Sequence, residues 1–275
     1  MIYALSGEGY RALAALATRP VLYAFDFDGT LAPISPDRNA VMLPSSVGAR
    51  LRELARRVPC AVVSGRALAD LAPRVGGAVP YLIGNHGIET PAAAPEAVQA
   101  AEQVCLGWKQ VFAEHLAGPF RELGVEVEDK RYSLTLHFSK KGGAQNVQPA
   151  VLTLIQRLTP PPQLVSGKAS MNLLPPGAGG KGPAILELMA TLKQSDLFFV
   201  GDDETDENVF ALREGLAMGI RVGEYPESRA RYYLKHQGEL EEVLRFLIQQ
   251  LDCTADLAGR DAPGHVSAKS AVSEP

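Results

Sequence analysis

Two carboxylates stand two residues apart where an apolar run ends. The stretch "VLYAFDFDGT" sets Asp26 and Asp28 directly after Val21–Phe25. Residues i and i+2 of a strand point to the same side, so these two side chains would crowd one another. Crowded carboxylates raise each other's pKa and cost stability unless a cation or a reaction uses them. Three other places along the chain carry matching chemistry. Ser64, Gly65 and Arg66 follow the apolar "CAVV", Lys181 opens a helical pattern after "GAGG", and "GDDETDE" after "LFFV" supplies Asp202, Asp203 and Asp206. Carboxylates without a Cys or His cluster suit a hard, oxygen-ligated cation of the Mg2+ kind rather than zinc. A hydroxyl, a lysine and helix-start amides suit a phosphate. A site that combines the two sets is built to hold a phosphoryl group against Mg2+. No Gly-rich Walker-type loop stands close enough before Lys181 to make a nucleotide P-loop.

The elements that must position these groups read as alternating strands and helices. "PVLYAF", "PCAVV", "VPYLI" and "DLFFV" are short, continuously apolar and followed by Gly- or Asp-containing turns, as expected of strands buried on both faces of a parallel sheet. Val47, Leu51, Leu54 and Val58 share one helix face, and so do Ile185, Leu188, Met189 and Leu192. This order predicts a Rossmann-like, doubly wound α/β core over residues 1–89 and 177–251, with its ligands beyond the carboxyl ends of the strands. Every polar motif above falls at such an end. Residues 90–176 read differently. There a long helical stretch containing Trp108 precedes "VEVEDKRYSLTLHFS", in which Leu134, Leu136 and Phe138 alternate with polar residues. That is a half-buried antiparallel strand. A second helix with Val147, Val151, Leu154 and Leu158 on one face follows, then the strand pair "QLVSGKASMNLLPPG". An α+β unit inserted in the core as a cap is the expectation. The Ala-, Ser-, Gly- and Pro-rich stretch from Asp252 to Pro275 reads as a mobile tail.

The ordered set "DFDGT", "VVSGR", "GGKG", "GDDETD" resembles the haloacid dehalogenase-like (HAD) phosphohydrolases, and within them the chain is similar to the trehalose-6-phosphate phosphatases. The resemblance extends to about Leu251 and includes "GNHGIE", "EDKRYSLTLHF" and "SGKASMNLLPPG". It implies a HAD core with a C2-type cap. It also implies hydrolysis of trehalose 6-phosphate through an aspartyl-phosphate on Asp26, with Asp28 as general acid and then base. Mg2+ would be held by Asp26, the Asp28 carbonyl and Asp202, with Asp203 or Asp206 in support. Ser64, with Gly65 beside it, and Lys181 would bind the phosphoryl group. Arg66, Asn85, His86, Glu128, Lys130, His137 and Lys168 would contact the sugar. Three cap positions depart from the family pattern. Asn172 stands for a usual Glu, Leu174 for a basic residue and Ser139 for an Arg. If the substrate were another sugar phosphate with an apolar second half, Leu174 would face that half.

Composition bounds the rest. The 275 residues are 46% hydrophobic and 21% charged, with a formal net charge of -4 and a pI near 5.8. That balance argues against a nucleic-acid or membrane-surface binder. No apolar run spans a bilayer and the N-terminus lacks a basic signal region, while the three separated cysteines, Cys60, Cys105 and Cys253, suit reduced thiols in a cytoplasm. The expected partner is a small sugar-phosphate substrate, and the chain is expected to be a monomer. Two alternatives stand beside this reading. One is a phosphatase for another sugar phosphate of glucosylglycerol or mannosylglycerate type; the other is a non-catalytic sugar-phosphate-binding module.

Overall fold

The computed structural model of the chain describes residues 1–35, 37–116, 124–138, 144–167, 170–212 and 215–260. Seven strands, β1 (Ile2–Tyr3), β2 (Val21–Phe25), β3 (Cys60–Val63), β4 (Tyr81–Ile83), β9 (Asp196–Gly201), β10 (Leu216–Val222) and β11 (Tyr232–Leu234), form one sheet. Its order is β1-β11-β10-β9-β2-β3-β4, and every pair in it is parallel. The four strands expected from apolar runs are all present. The outer strands β1, β10 and β11 had no such signal. Two are only two or three residues long, and β10 carries Gly219 at its centre, where a Cβ would stand 2.9 Å from the Phe210 ring.

Alternation along the central strands divides the core. Tyr23, Phe25, Phe198 and Val200 pack into one cluster, while Leu22, Ala24, Leu197 and Phe199 pack into another. Successive side chains of a strand point to opposite faces, so the two clusters are the two covered faces of one sheet. On the first face lie α1 (Gly7–Leu16), α2 (Ser45–Ala55) and α8 (Leu240–Arg260), which contribute Leu13, Leu51 and Leu244; on the second lies α6 (Lys181–Thr191), through Ile185 and Leu188. The helix α8 continues past Asp252, where composition predicts a mobile tail. Its apolar face is seated through Val243, Leu247 and Ile248, and Arg57 clasps Asp252 with bonds of 2.6 and 2.9 Å, so the helix does not stop at the change in composition. No helix among the described residues is long and apolar enough to cross a membrane.

The chain between β4 and α6 makes a second sheet, called the cap here. Strands β5 (Val125–Asp129), β6 (Leu134–Phe138), β7 (Gln163–Gly167) and β8 (Ser170–Leu174) run antiparallel in the order β5-β6-β8-β7. Two helices, α4 (Pro95–Leu116) and α5 (Ala144–Ile155), cover one face. That face is apolar: Val125, Leu134, Leu136, Phe138, Met171 and Leu173 meet Trp108, Phe112, Val151 and Leu154. Trp108 is fully buried and donates its ring N–H to the Pro160 carbonyl at 2.9 Å. By the same period of two, Glu126, Glu128, Thr135, His137, Ser170 and Asn172 occupy the opposite face, which is turned to the core.

The core packing carries a direct expectation. Phe198 is fully buried, with its ring 5.4 Å from Tyr23 and 5.8 Å from Phe25. Phe198→Ala should lower unfolding free energy by about 3–5 kcal/mol in urea denaturation. A loss below about 1 kcal/mol would show that the site collapses freely and that this cluster does not hold the sheet.

Candidate active site

The register of the central strands builds the site. Strands β2 and β9 are neighbours with Phe25 opposite Val200, so Asp26 and the Gly201-Asp202 pair leave the sheet side by side. The Asp26 N–H donates to the Val200 carbonyl at 2.9 Å. Two glycines permit the approach. Gly29 has φ +86°, and a Cβ on it would stand 2.3 Å from Asp202 Oδ2; a Cβ on Gly201 would stand 2.5 Å from the Asp206 carboxyl carbon. Oxygens of Asp26, Asp202 and Asp206 come within 4.8 Å of one another, all three residues being buried. Asp206 Oδ2 accepts the N–H groups of Asp202 and Asp203 at 2.9 and 3.0 Å, which fixes the loop. Lys181, at the start of α6, donates from Nζ to Asp26 Oδ1 at 2.6 Å and to Asp206 Oδ1 at 2.7 Å.

Three carboxylates around one ammonium leave an excess of negative charge in a dry place. Burial, then Asp206 and Asp202, hold the Asp26 carboxyl well above the ordinary carboxylate range against the pull of Lys181. Burial alone would lower the Lys181 ammonium, but Asp206 and Asp26 outweigh it and hold its pKa above the ordinary lysine value. An all-oxygen donor set with uncompensated charge fits a hard divalent cation. Of the two acids expected in support, it is Asp206 whose carboxylate joins the cluster; Asp203 lines the cavity beside it.

Other expected residues divide into those that reach the cavity and those spent elsewhere. Asp28 is gripped by Arg66, whose Nε and Nη2 donate to its two oxygens at 2.7 Å each. Arg66 also donates to Asp70 at 2.8 Å, so its charge serves an acid at the cavity wall. Ser64 is buried and accepts the Arg66 N–H at 3.1 Å, a local turn that leaves its own hydroxyl hydrogen for a ligand. Gly65 lies under the His86 ring, which a Cβ would meet at 2.4 Å. His86 is buried at the cavity with neither ring nitrogen hydrogen-bonded, and burial, then Lys130 and Lys181, hold it well below the usual histidine range. The imidazole is therefore neutral, one nitrogen a donor and the other an acceptor. Asn85 does not line the cavity. Its amide donates to Glu89 and to the Lys130 carbonyl and accepts from Ser133, which ties cap to core.

The polar face of the cap sheet and the Asp26 cluster line one open cavity of about 510 Å³. Pockets of roughly 300–1,000 Å³ hold small molecules. Glu128 lies 2.7 Å from His137 Nε2, and Lys130 donates from Nζ to the Gly65 carbonyl at 3.0 Å. Asn172 is buried, accepting from Thr135 at 2.8 Å and donating to the Val165 carbonyl at 3.2 Å. Leu174 is fully buried and is not part of the cavity wall, so it does not face a second sugar ring. Lys168 and Ser139 lie outside the described residues. Arg38, a core residue with no motif around it, completes the wall through Glu126, Glu128 and His137.

Burial would raise the Glu128 carboxyl, but His137, Lys130 and Arg38 outweigh that and hold it down to about 2, from an ordinary 4.5. A depressed carboxyl stabilises the fold fully above its unfolded value and loses that contribution as pH falls toward the folded one. The stability gap between the native chain and Glu128→Gln, measured by urea unfolding, should stay constant from about pH 7 to about 4.5 and narrow below. A gap that already closes between about pH 7 and 5 would show that the carboxyl is not held down by these neighbours.

Comparison with known proteins places this geometry. Residues 24–236 match the family model described as Trehalose-phosphatase. A trehalose 6-phosphate phosphatase of Zea mays is 31% identical over 261 residues, covering 86% of this chain and 72% of its own length. The trehalose-phosphate phosphatase of Mycobacterium tuberculosis is 34% identical over 206 residues, 71% of this chain, and this chain spans 51% of that protein. The structure of the C-terminal domain of a C. albicans trehalose-6-phosphate phosphatase superposes with a TM-score of 0.69 at 21% identity, covering 90% of this chain and 98% of that one, a likeness of fold. On the match of the family model to most of the chain, this protein belongs to the trehalose-phosphatase family.

Proposed function

We propose that the chain is a Mg2+-dependent phosphatase that hydrolyses trehalose 6-phosphate to trehalose and phosphate. The observation that carries this is the buried Asp26, Asp202, Asp206 and Lys181 cluster under a roof of hydroxyl-matching side chains. The names of the relatives support the disaccharide phosphate as substrate. The reading takes the chain as a cytoplasmic monomer with residues 90–176 acting as its cap and no nucleic-acid or membrane partner.

In this reading the Asp26 carboxylate attacks phosphorus, and the bond from phosphorus to the sugar oxygen breaks as the Asp26–phosphorus bond forms. Asp28 gives its proton to the departing sugar oxygen. It then takes a proton from water, whose oxygen attacks the same phosphorus and releases phosphate with Asp26 restored. Lys181 and the Ser64 hydroxyl hold phosphoryl oxygens as charge shifts onto them. To act, Asp28 must exchange at least one of its two bonds to Arg66 for the substrate. Asp26, Asp202 and Asp206, with the Asp28 carbonyl, would hold Mg2+, which when bound neutralises charge on the transferring group. Neutral His86 offers both a donor and an acceptor to the sugar, and Glu128, Lys130 and Lys168 are proposed to contact its hydroxyls. Asn172 keeps a neutral polar group in the cap segment where the family usually has an acid.

Three expectations follow for the enzyme. Asp26→Asn should lower kcat by on the order of a thousandfold or more while the fold is kept, and a near-native rate would end the covalent mechanism. Activity should vanish with EDTA and return with Mg2+; full activity after exhaustive chelation would remove the metal. In phosphate-release assays kcat/KM for trehalose 6-phosphate should exceed that for glucose 6-phosphate by about tenfold or more, and equal values would overturn the substrate.

A further inference from the structure

The mechanism above gives no role to Arg38, a basic group of the cavity wall. Arg38 sits on a short turn, Arg38–Ala40, that follows the Asp26 loop on the core side. The backbone of this turn is held from below. Arg66 donates to the Arg38 carbonyl at 3.2 Å, and buried Arg74 donates to the carbonyls of Asn39 at 2.9 Å and Val41 at 2.5 Å. Asp70 joins the two guanidiniums, accepting from Arg66 at 2.8 Å and from Arg74 at 2.9 and 2.6 Å. The turn is thus a fixed platform, and its side chain points across to the cap. Nη1 of Arg38 donates to Glu128 Oε2 at 2.9 Å and touches His137 Nε2; Nη2 donates to Glu126 Oε1 at 3.2 Å. Among the described residues these are the ion pairs that join the core to the cap sheet.

We propose that Arg38 is a specificity-determining residue that reads the sugar beyond the phosphate, together with Glu128 and His137. This rests on the phosphatase reading and deepens it. Its side-chain partners are all cap groups, and none belongs to the Asp26 cluster. A guanidinium offers five N–H donors in a fixed fork, and an ionised carboxylate offers only acceptors. Side by side they match a pair of sugar hydroxyls, each of which both donates and accepts. The side chains of Arg38 and Glu128 are 41% and 37% exposed, so hydroxyls would replace water there rather than protein. Exposure also makes the bare ion pair a weak clasp, so holding the cap shut is not by itself a sufficient role.

The test compares two substrates on the full chain with Mg2+. Trehalose 6-phosphate reaches the cap, whereas p-nitrophenyl phosphate carries no sugar. Arg38→Ala should lower kcat/KM for trehalose 6-phosphate by about 10- to 100-fold, mainly through KM, and change that for p-nitrophenyl phosphate by less than about threefold. Arg38→Lys, which keeps the charge but not the fork, should recover only part of the loss. An equal loss on both substrates would assign Arg38 to general cap closure, and no loss on either would remove it from the site; both overturn the proposal. If Arg38→Ala does not fold, Arg38→Lys and Arg38→Gln carry the same comparison. Failure of the native chain to cleave trehalose 6-phosphate would instead count against the substrate reading, which the ratio between substrates does not measure.

Discussion

Three buried carboxylates cluster at the carboxyl ends of β2 and β9 with one lysine paired to two of them, and much of the surrounding structure makes that tolerable. Unpaired charge is costly in a dry interior, so each oxygen must be met by a donor or a cation. Lys181 meets two of them, and the amides of Asp202 and Asp203 meet another. The glycines at 29 and 201 are consequences of the same crowding, because a Cβ at either would occupy the place of a carboxylate. Parallel pairing of β2 with β9 is equally required. Parallel strands put Asp26 and Asp202, far apart in the chain, at the same end of the sheet, and adjacency puts them side by side.

The cap answers a different constraint. A four-stranded antiparallel sheet with helices on one face has the other face open, and its period of two sorts apolar residues to the helices and polar ones to the cavity. In the proposed reading, that polar face is where sugar hydroxyls would be met. Its attachment to the core is mostly polar. Asn85 ties Lys130 and Ser133, Lys130 reaches the Gly65 carbonyl, and Arg38 reaches Glu126 and Glu128. Polar contacts of this kind can be exchanged with water or ligand at small net cost, which suits the proposed role of this unit as a cap.

Linked arginines connect the two halves of the site. Arg66 holds Asp28 through Nε and Nη2 and reaches the Arg38 carbonyl from the same Nη2, while Asp70, bonded to its Nη1, ties it to Arg74. The proposed acid and the turn that faces the cap therefore rest on one hydrogen-bonded frame. The sequence motif containing Arg66 suggested a sugar contact; its side chain is only 13% exposed and its three guanidinium nitrogens are bonded to Asp28 and Asp70, whereas that of Arg38 is 41% exposed.

What the sequence determined by itself was local. Apolar run length and alternation foretold β2, β3, β4 and β9 and the two-faced cap strands, because burial on one face or two leaves a period that needs no partner to be read. The motif acids and Lys181 were legible for the same reason, since charge at the end of a buried strand is conspicuous. The tertiary structure decided which groups meet. It chose Asp206 over Asp203 for the carboxylate cluster, spent Asn85 on the cap junction, buried Leu174 away from the cavity, and brought in Arg38 from a turn with no motif. It also carried α8 through Asp252 by packing and an ion pair that composition does not show. Those outcomes depend on long-range register and on competition among donors and acceptors from different elements, and neither is written in any short stretch of the chain.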